Sequence, residues 1–264
     1  MSFRYATSTA LTVDTAAPLF GHAVTLTAGV GSTGPGTPSG TVTFLEGATE
    51  LADGRARFTT AALQPGPHTL TARYDGDPDF APGGPAAAGL TVGFSAPCLT
   101  APHAGPLTVA PGQALCLADG ARQTGPVTVR PGGALAVSDA ELTGPLTADG
   151  ALAVTVCGSS LTGRVTVTGT TGPLVFGSDA RHPADCPGNT LTGPLTLDAN
   201  TGGLRAAANT LTGPVRITGT TGGTAVPVFE ANTVSGPLHC EGNRPEPSTT
   251  GTTVTGPRTG RCRP

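Results

Sequence analysis

Charged side chains are scarce in this sequence, so the few that recur at a fixed interval are the first candidates for chemistry. Asp149 and Asp198 each follow a recurring Gly by five positions, Arg130 takes the same position, and Arg216 lies close to it. Carboxylates that hold Ca²⁺ beside an arginine that abstracts a proton would form a polysaccharide lyase. The two Asp would lie two repeats apart, ~10 Å at the strand spacing of a sheet, which is too far to share one ion. Lyase or hydrolase chemistry is therefore the alternative hypothesis.

The densest polar cluster is the insert GSDARHPADCPGN, which contains Asp179, His182 and Asp185. Long loops on regular scaffolds often carry binding residues, which makes these three candidates for a ligand site. A surface loop anchored by its cysteine is the explanation that we favour. His239 and the other scattered His are interpreted as surface residues.

An acidic turn in the N-terminal part offers a second kind of chemistry. Asp75, Asp77 and Asp79 alternate along the chain, and alternate carboxylates can converge on calcium, the only cofactor that the sequence suggests. A solvated turn whose Asp side chains cap backbone amides explains the same pattern and is favoured.

A column of threonines forms a third candidate surface. These residues each lie three positions after a recurring Gly: Thr108, Thr128, Thr147, Thr166 and Thr196. Such a column predicts a regular hydroxyl face, suited to glycan contact or explained by β-propensity alone. Ice binding would require paired Thr ranks, but the partner column is mixed and Arg216 interrupts the first, so the sequence does not favour it.

The elements that position these residues differ between the two parts of the chain. Up to about Val92, short alternating runs separated by Gly and Pro turns predict an antiparallel sandwich of about seven strands. The segments HAVTLTAGV, PSGTVTFLEGATEL and LQPGPHTLTARYDGDPDFAPG resemble the bacterial Ig-like repeat domain of secreted and surface proteins, over about residues 7–93. The resemblance implies a spacer or adhesive module without catalytic residues.

The rest of the chain is a tandem repeat. A Gly heads an apolar-Thr-apolar triplet at intervals of 20, 19, 19, 30, 20, 23 and 20 residues, starting from Gly105. This length, with three strand-like runs per repeat, predicts a right-handed parallel β-helix of about eight rungs. Leucine and valine after each Gly, and in the NTLTG-type segments, would form interior stacks. These repeats resemble the TGPVTV and NTVSGPL segments of secreted proteins in high-GC bacteria, for which no activity is implied.

The six cysteines all lie in the repeat region, and an even number favours disulfides in an oxidising compartment. Sequential neighbours are separated by about one repeat, and residues stacked on adjacent rungs lie ~4.8 Å apart, within the Cα range of a disulfide. The spacing therefore predicts three pairs: Cys98–Cys116, Cys157–Cys186 and Cys240–Cys262. The absence of Cys-x-x-Cys or of a Cys/His cluster argues against a metal site.

Composition excludes several classes of function. The chain has no basic stripe with interleaved aromatic residues and no apolar run of ~18 residues, so neither nucleic acid binding nor membrane insertion is expected. Its first residues lack the apolar core of a signal peptide, which implies a removed leader or non-classical export.

We therefore expect an extracellular or cell-surface, all-β protein with an Ig-like β-sandwich at residues 1–93 and a disulfide-clipped β-helix at 94–264. The expected role is structural or adhesive, towards polysaccharide or a cell-surface protein. The alternatives are a carbohydrate-active β-helix and the accessory end of a larger secreted enzyme.

Overall fold

The computed structural model describes residues 4–52, 54, 56–178, 186–222 and 225–262. Every regular element within these ranges is a β-strand. The chain divides into two compact units, Met1–Gly93 and Phe94–Pro264. The all-β class that the sequence predicts is confirmed. In the described part of the chain, no helix is long and apolar enough to cross a membrane.

The N-terminal unit consists of two antiparallel sheets. Its strands are β1 (Thr7–Val13), β2 (Val24–Ser32), β3 (Val42–Glu46), β4 (Thr49–Ala52), β5 (Arg57–Thr60), β6 (Gly66–Tyr74) and β7 (Ala86–Val92). The order is β1-β2-β5 in one sheet and β4-β3-β6-β7 in the other. Alternate residues of β6 are buried, as expected of strands with one face on the core. Phe20, Leu26, Phe44, Leu70 and Tyr74 fill that core.

The C-terminal unit is a solenoid of three parallel sheets, with two sheets of eight strands and one of six, which makes about seven turns. The first sheet contains the strands that follow the repeat Gly: Leu107–Val109, Val127–Val129, Leu146–Asp149, Val165–Thr168, Leu195–Asp198, Val215–Thr218, Leu238–Glu241 and Arg258–Gly260. The second sheet contains Ala114–Leu117, Ala134–Ser138, Ala153–Cys157, Leu174–Gly177, Leu204–Ala207 and Val228–Glu230. The third contains His103–Ala104, Arg122–Thr124, Glu141–Thr143, Ser160–Thr162, Thr190–Thr192, Thr210–Thr212, Thr233–Ser235 and Thr253–Val254.

Equivalent residues of successive repeats stack directly on one another. Val165 pairs with Leu195 in the first sheet and Leu161 with Leu191 in the third, although the repeat between them is the longest in the chain. These aliphatic side chains are buried and form one continuous core. The parallel β-helix that the repeats predict is confirmed, with about seven turns where about eight rungs are expected, because one of the three sheets has only six strands. Insertions leave the strand register unchanged.

The repeat Gly is required by the close approach of successive rungs. Gly213 has a φ of 133°, and a Cβ added there would lie 2.6 Å from the carbonyl oxygen of Gly193. Any side chain would meet the backbone of the neighbouring rung in a conformation that L-residues rarely adopt. The same stacking recurs at the equivalent Gly of every rung after the first, from Gly125 to Gly256, which explains why this position is so regular in the sequence.

Asparagine side chains form a buried ladder at the corner before the third sheet. The side-chain oxygen of Asn209 accepts from the backbone amide of Asn189 at 2.9 Å and from its Nδ2 at 3.0 Å. Asn232 repeats both contacts towards Asn209. The left-handed backbone of this corner is at the residue before Asn209 and Asn232, Ala208 and Ala231, and the turn aims the Asn side chains into the corner.

Three disulfides join neighbouring rungs. Cys98–Cys116, Cys157–Cys186 and Cys240–Cys262 have Cα separations of 4.5, 4.7 and 5.1 Å. These are the three pairs expected from the spacing of the cysteines. Each bond clips adjacent turns to one another, although the paired cysteines need not share a register position: Cys240 pairs with Gly260 in the sheet and is bonded to Cys262.

Candidate functional site

The four residues considered for lyase or hydrolase chemistry do not converge. Asp149 and Asp198 lie in one outward column of the first sheet, with Thr168 between them in the register. Arg130 and Asp149 are exposed, and the Thr218 hydroxyl donates to Asp198. Within the described part of the chain, no ion pair joins Arg216 to Asp198.

The threonine column stacks as a single rank. Thr128 pairs with Thr108 on one side and Thr147 on the other, and Thr166 pairs with Thr147 and Thr196. Arg216 and His239 then continue the column. The outward column two residues further along each strand contains the acidic and basic residues just described. The hydroxyls of this face are therefore mixed with charge.

The insert residues Asp179, His182 and Asp185 lie outside the described residues. The cysteine that follows them, Cys186, is described and buried, and it is joined to Cys157.

Both carboxylate oxygens of Asp77, in the acidic turn, accept hydrogen bonds from other groups of the protein. Its Oδ2 accepts from the Ser39 amide at 2.8 Å and the Tyr74 hydroxyl at 2.8 Å. Its Oδ1 accepts from the amides of Asp79 and Phe80 at 2.9 and 2.7 Å. The pKa of Asp77 lies well below its ordinary value, chiefly because the Ser39 amide donates a hydrogen bond to the ionised carboxylate. Its carboxylate thus fastens the turn after β6 to the segment before β3.

The carboxylate of Asp75 likewise accepts hydrogen bonds from its own domain. Burial opposes its ionisation, but hydrogen bonds from Thr43, Thr41 and Arg73 lower the pKa of this carboxyl below its usual value. The Thr43 and Thr41 hydroxyls donate to Oδ2 at 2.7 and 3.0 Å. Asp79 is exposed and contributes its backbone amide. No three His, Cys, Asp or Glu side chains among the described residues are grouped as metal ligands. The geometry is that of Asp side chains capping a turn.

His68 departs from the expectation that the scattered His lie on the surface. It is 8% exposed on β6, where Nδ1 contacts the Glu46 carboxylate and Nε2 lies 2.6 Å from the Gln64 carbonyl. Burial would lower the pKa of the imidazole, but the hydrogen bonds to Glu46 and Gln64 and the charge of Glu46 together raise it. The sequence did not reveal this pair because its members lie 22 residues apart on neighbouring strands.

A cavity at the C-terminal rungs, which could not be anticipated from the sequence, has four charged residues in its lining. Its volume is about 410 Å³, and we call it the C-terminal pocket. Its lining consists of Glu241, Gly242, Asn243, Arg244, Glu246 and Arg261.

The solenoid positions each wall of this pocket. Glu241 ends a strand of the first sheet, and buried Asn243 accepts from the Thr220 amide at 3.0 Å while its Nδ2 donates to the Ile217 carbonyl at 2.9 Å. The backbone amide of Arg244 donates to the Thr220 carbonyl at 2.9 Å. The Cys240–Cys262 disulfide holds the terminal turn that contains Arg261 against the rung before it.

Charge in the pocket is balanced and accessible. An Arg261 guanidinium nitrogen lies 3.2 Å from Glu246 Oε1, and on the adjacent surface His239 Nε2 lies 3.1 Å from Glu241 Oε2. Arg244, Glu241 and Arg261 are exposed. Guanidinium and carboxylate groups around one cavity can hold a ligand rich in hydroxyls by charge-assisted hydrogen bonds. The signal in the sequence was the cluster HCEGNRPEP, but its residues leave the repeat pattern at the turn, so their columns could not be assigned.

Comparison with known proteins supports the N-terminal assignment. The family model for the bacterial Ig-like domain (group 3) matches residues 11–93. Among solved structures, the chain is similar to the crystal structure of pectate lyase PelI from Erwinia chrysanthemi in complex with tetragalacturonic acid, with 12% identity, coverage of 94% of this chain and 84% of that chain, and a TM-score of 0.22. No curated protein matches the chain. The strand pairing itself, rather than this similarity, establishes the β-helix. Residues 11–93 are thus a bacterial Ig-like domain of group 3, and a β-solenoid follows from about residue 103 to residue 260.

Proposed function

We propose that this protein is an extracellular structural and adhesive module that holds polysaccharide in the C-terminal pocket of its solenoid. The observation that carries the proposal is the pocket itself, in which Arg244, Arg261 and Glu241 surround a cavity of about 410 Å³. Hydroxyl groups of a sugar can donate hydrogen bonds to carboxylates and accept them from guanidinium groups. A neutral or weakly acidic glycan can therefore bind to both the Glu and the Arg side chains of the pocket.

The location outside the cell is supported by the cysteines. Three disulfides within one unit fit an oxidising compartment, because cytosolic thiols are kept reduced. The Ig-like domain fits a spacer in such a protein. A rigid solenoid suits adhesion, since little freedom is lost when a preformed site takes up its ligand.

The test is co-sedimentation of the full chain with insoluble peptidoglycan, chitin, cellulose and pectin, with and without calcium. The double variant Arg244→Ala/Arg261→Ala removes two guanidinium groups from the pocket. The double variant Arg130→Ala/Arg164→Ala removes the same charge from exposed positions elsewhere on the solenoid and is the matched control.

We expect saturable binding of the parent chain to one polymer, weakened about tenfold or more in the pocket variant, because each lost charge-assisted hydrogen bond contributes ~1.5–3 kcal/mol. The control variant should bind like the parent. Failure of the parent to bind any polymer, or equal loss in both double variants, would refute the proposed role of the pocket.

A further inference from the structure

The outer face of the third sheet presents two parallel ranks of hydroxyl groups. Five successive rungs contribute one residue to each rank. The first rank is Ser160, Thr190, Thr210, Thr233 and Thr253, and the second is Thr162, Thr192, Thr212, Ser235 and Thr255. All ten are exposed, and the residue between each pair points into the core or is half-buried. We call these ten residues the hydroxyl face.

The ranks are in register along the solenoid. Thr190 pairs with Ser160 and Thr210, and Thr192 pairs with Thr162 and Thr212. The 30-residue repeat does not disturb this pairing, because its extra residues lie before the strand begins. Neighbouring rungs are ~4.8 Å apart, and two residues along a strand span ~6.6 Å. The hydroxyl face is therefore a two-dimensional lattice with two constant spacings.

No charged residue interrupts the lattice. The rung before the face contains Glu141, which pairs at 3.4 Å with Arg122 of the rung before that one, so this charged pair marks one border of the face. The Thr255 hydroxyl donates to the Val234 carbonyl at 3.4 Å. Among the described residues, the other nine hydroxyls have no protein partner, so they are available to water or to a ligand.

The backbone on both sides of each strand is held in place. On one side, the residue before Thr190 is Asn189, and the residue before Thr210 is Asn209, both members of the buried ladder. On the other side, the strand Thr210–Thr212 is followed by Gly213, which is stacked on Gly193 with no room for a Cβ. The lattice is thus preorganised, and no side chain longer than Thr needs to be ordered on binding.

These features point to one kind of ligand. An uncharged solid that presents oxygen atoms at two matching periods can donate hydrogen bonds to, and accept them from, a whole row of hydroxyl groups at once. Both spacings of the face are close to repeats of the oxygen lattice on a prism plane of hexagonal ice. We propose that the hydroxyl face adsorbs to ice.

Polysaccharide fits this face less well than it fits the C-terminal pocket. The flat lattice has no aromatic ring on which a sugar could stack, and no carboxylate, amide or guanidinium group to orient one. In the first sheet, Arg216 interrupts the Thr column and the partner column is mixed, which argues against ice binding at that face. In the third sheet, each Thr-x-Thr or related segment supplies both ranks.

The test uses the purified full chain with its disulfides intact. Thermal hysteresis is measured with single ice crystals, and uptake of labelled protein into slowly grown ice is measured in parallel. Thr210→Tyr places a bulky ring at the centre of the hydroxyl face. Thr212→Tyr does so in the second rank, and Thr147→Tyr makes the same change at an exposed Thr of the first sheet.

We expect hysteresis and uptake into ice for the parent and for Thr147→Tyr, and loss of both for Thr210→Tyr and Thr212→Tyr, with melting temperatures unchanged. The pocket variant Arg244→Ala/Arg261→Ala should still adsorb, which separates this proposal from polysaccharide binding. The proposal would be overturned if the parent chain were excluded from growing ice and showed no thermal hysteresis. Equal activity of all three Tyr variants would also overturn it.

Discussion

At the scale of single residues, the carboxylates of Asp75 and Asp77 accept hydrogen bonds from groups of their own domain. Asp77 accepts hydrogen bonds from Ser39, Tyr74, Asp79 and Phe80, and these contacts join two segments that are 38 residues apart. The alternating Asp of the turn could be read as calcium ligands from their types and spacing. The structure shows instead that the oxygens of Asp77 face donors of its own domain.

Asp77→Asn should lower the melting temperature of the Ig-like domain by several degrees at pH 7, because an amide has fewer acceptor sites than a carboxylate and no charge. The pKa of Asp77 is lower in the folded than in the unfolded chain, so its stabilisation is present above the unfolded pKa, ~3.9, and is lost as pH falls towards the folded value. Melting curves from pH 7 to pH 2 should therefore show the difference between variant and parent shrinking in acid. Asp79→Asn, at an exposed side chain, is the control, and a constant difference across this range would contradict the assignment.

At the scale of elements, the strands are short and depend on the columns that flank them. The third-sheet strands have two or three residues each, too few to specify a register alone. The Asn ladder and the stacked Gly supply that register. The stacking of the repeat Gly could be predicted from the sequence, because each turn of a solenoid uses a similar number of residues. The turn conformation could not, because it depends on whether the side chain of Asn points towards the core.

Asn209→Ala should destabilise the solenoid by about 3 kcal/mol or more. It leaves the amide of Asn189 and its Nδ2 without their acceptor and removes a donor from the Phe176 carbonyl, and each buried unsatisfied group costs ~1–3 kcal/mol. Urea unfolding of the solenoid measures the change. Thr196→Ala, on the outer surface of the first sheet, should change the free energy of unfolding by about 0.5 kcal/mol or less. A ladder variant as stable as this control would show that the corner is hydrated rather than closed.

At the scale of the whole molecule, the covalent cross-links belong to one unit. All six cysteines lie in the solenoid, where they close loops of 18, 29 and 22 residues. The Ig-like domain depends on its packed core and on polar contacts such as that of Asp77. Reduction should therefore destabilise the solenoid, and acid should destabilise the Ig-like domain.

Reduction and alkylation of the full chain should lower the unfolding temperature of the solenoid and leave that of the Ig-like domain unchanged. Each disulfide closes a loop for which the loss of chain entropy in the unfolded state amounts to ~3 kcal/mol. Differential scanning calorimetry of the oxidised and reduced chains compares the transitions directly. If both transitions moved equally, or neither moved, the cross-links would not act on the solenoid as the structure implies.

The sequence by itself determined the all-β class, the Ig-like domain, the repeat length, the interior columns and the three cysteine pairs. It could do so because a solenoid repeats in one dimension, so residues separated by one repeat become neighbours in space. Only the tertiary structure decided which columns face outward together. The C-terminal pocket joins residues from an irregular turn and from different rungs, and the hydroxyl face depends on which sheet each Thr occupies. Both are set by how the three strands of each rung fold into one turn of the solenoid.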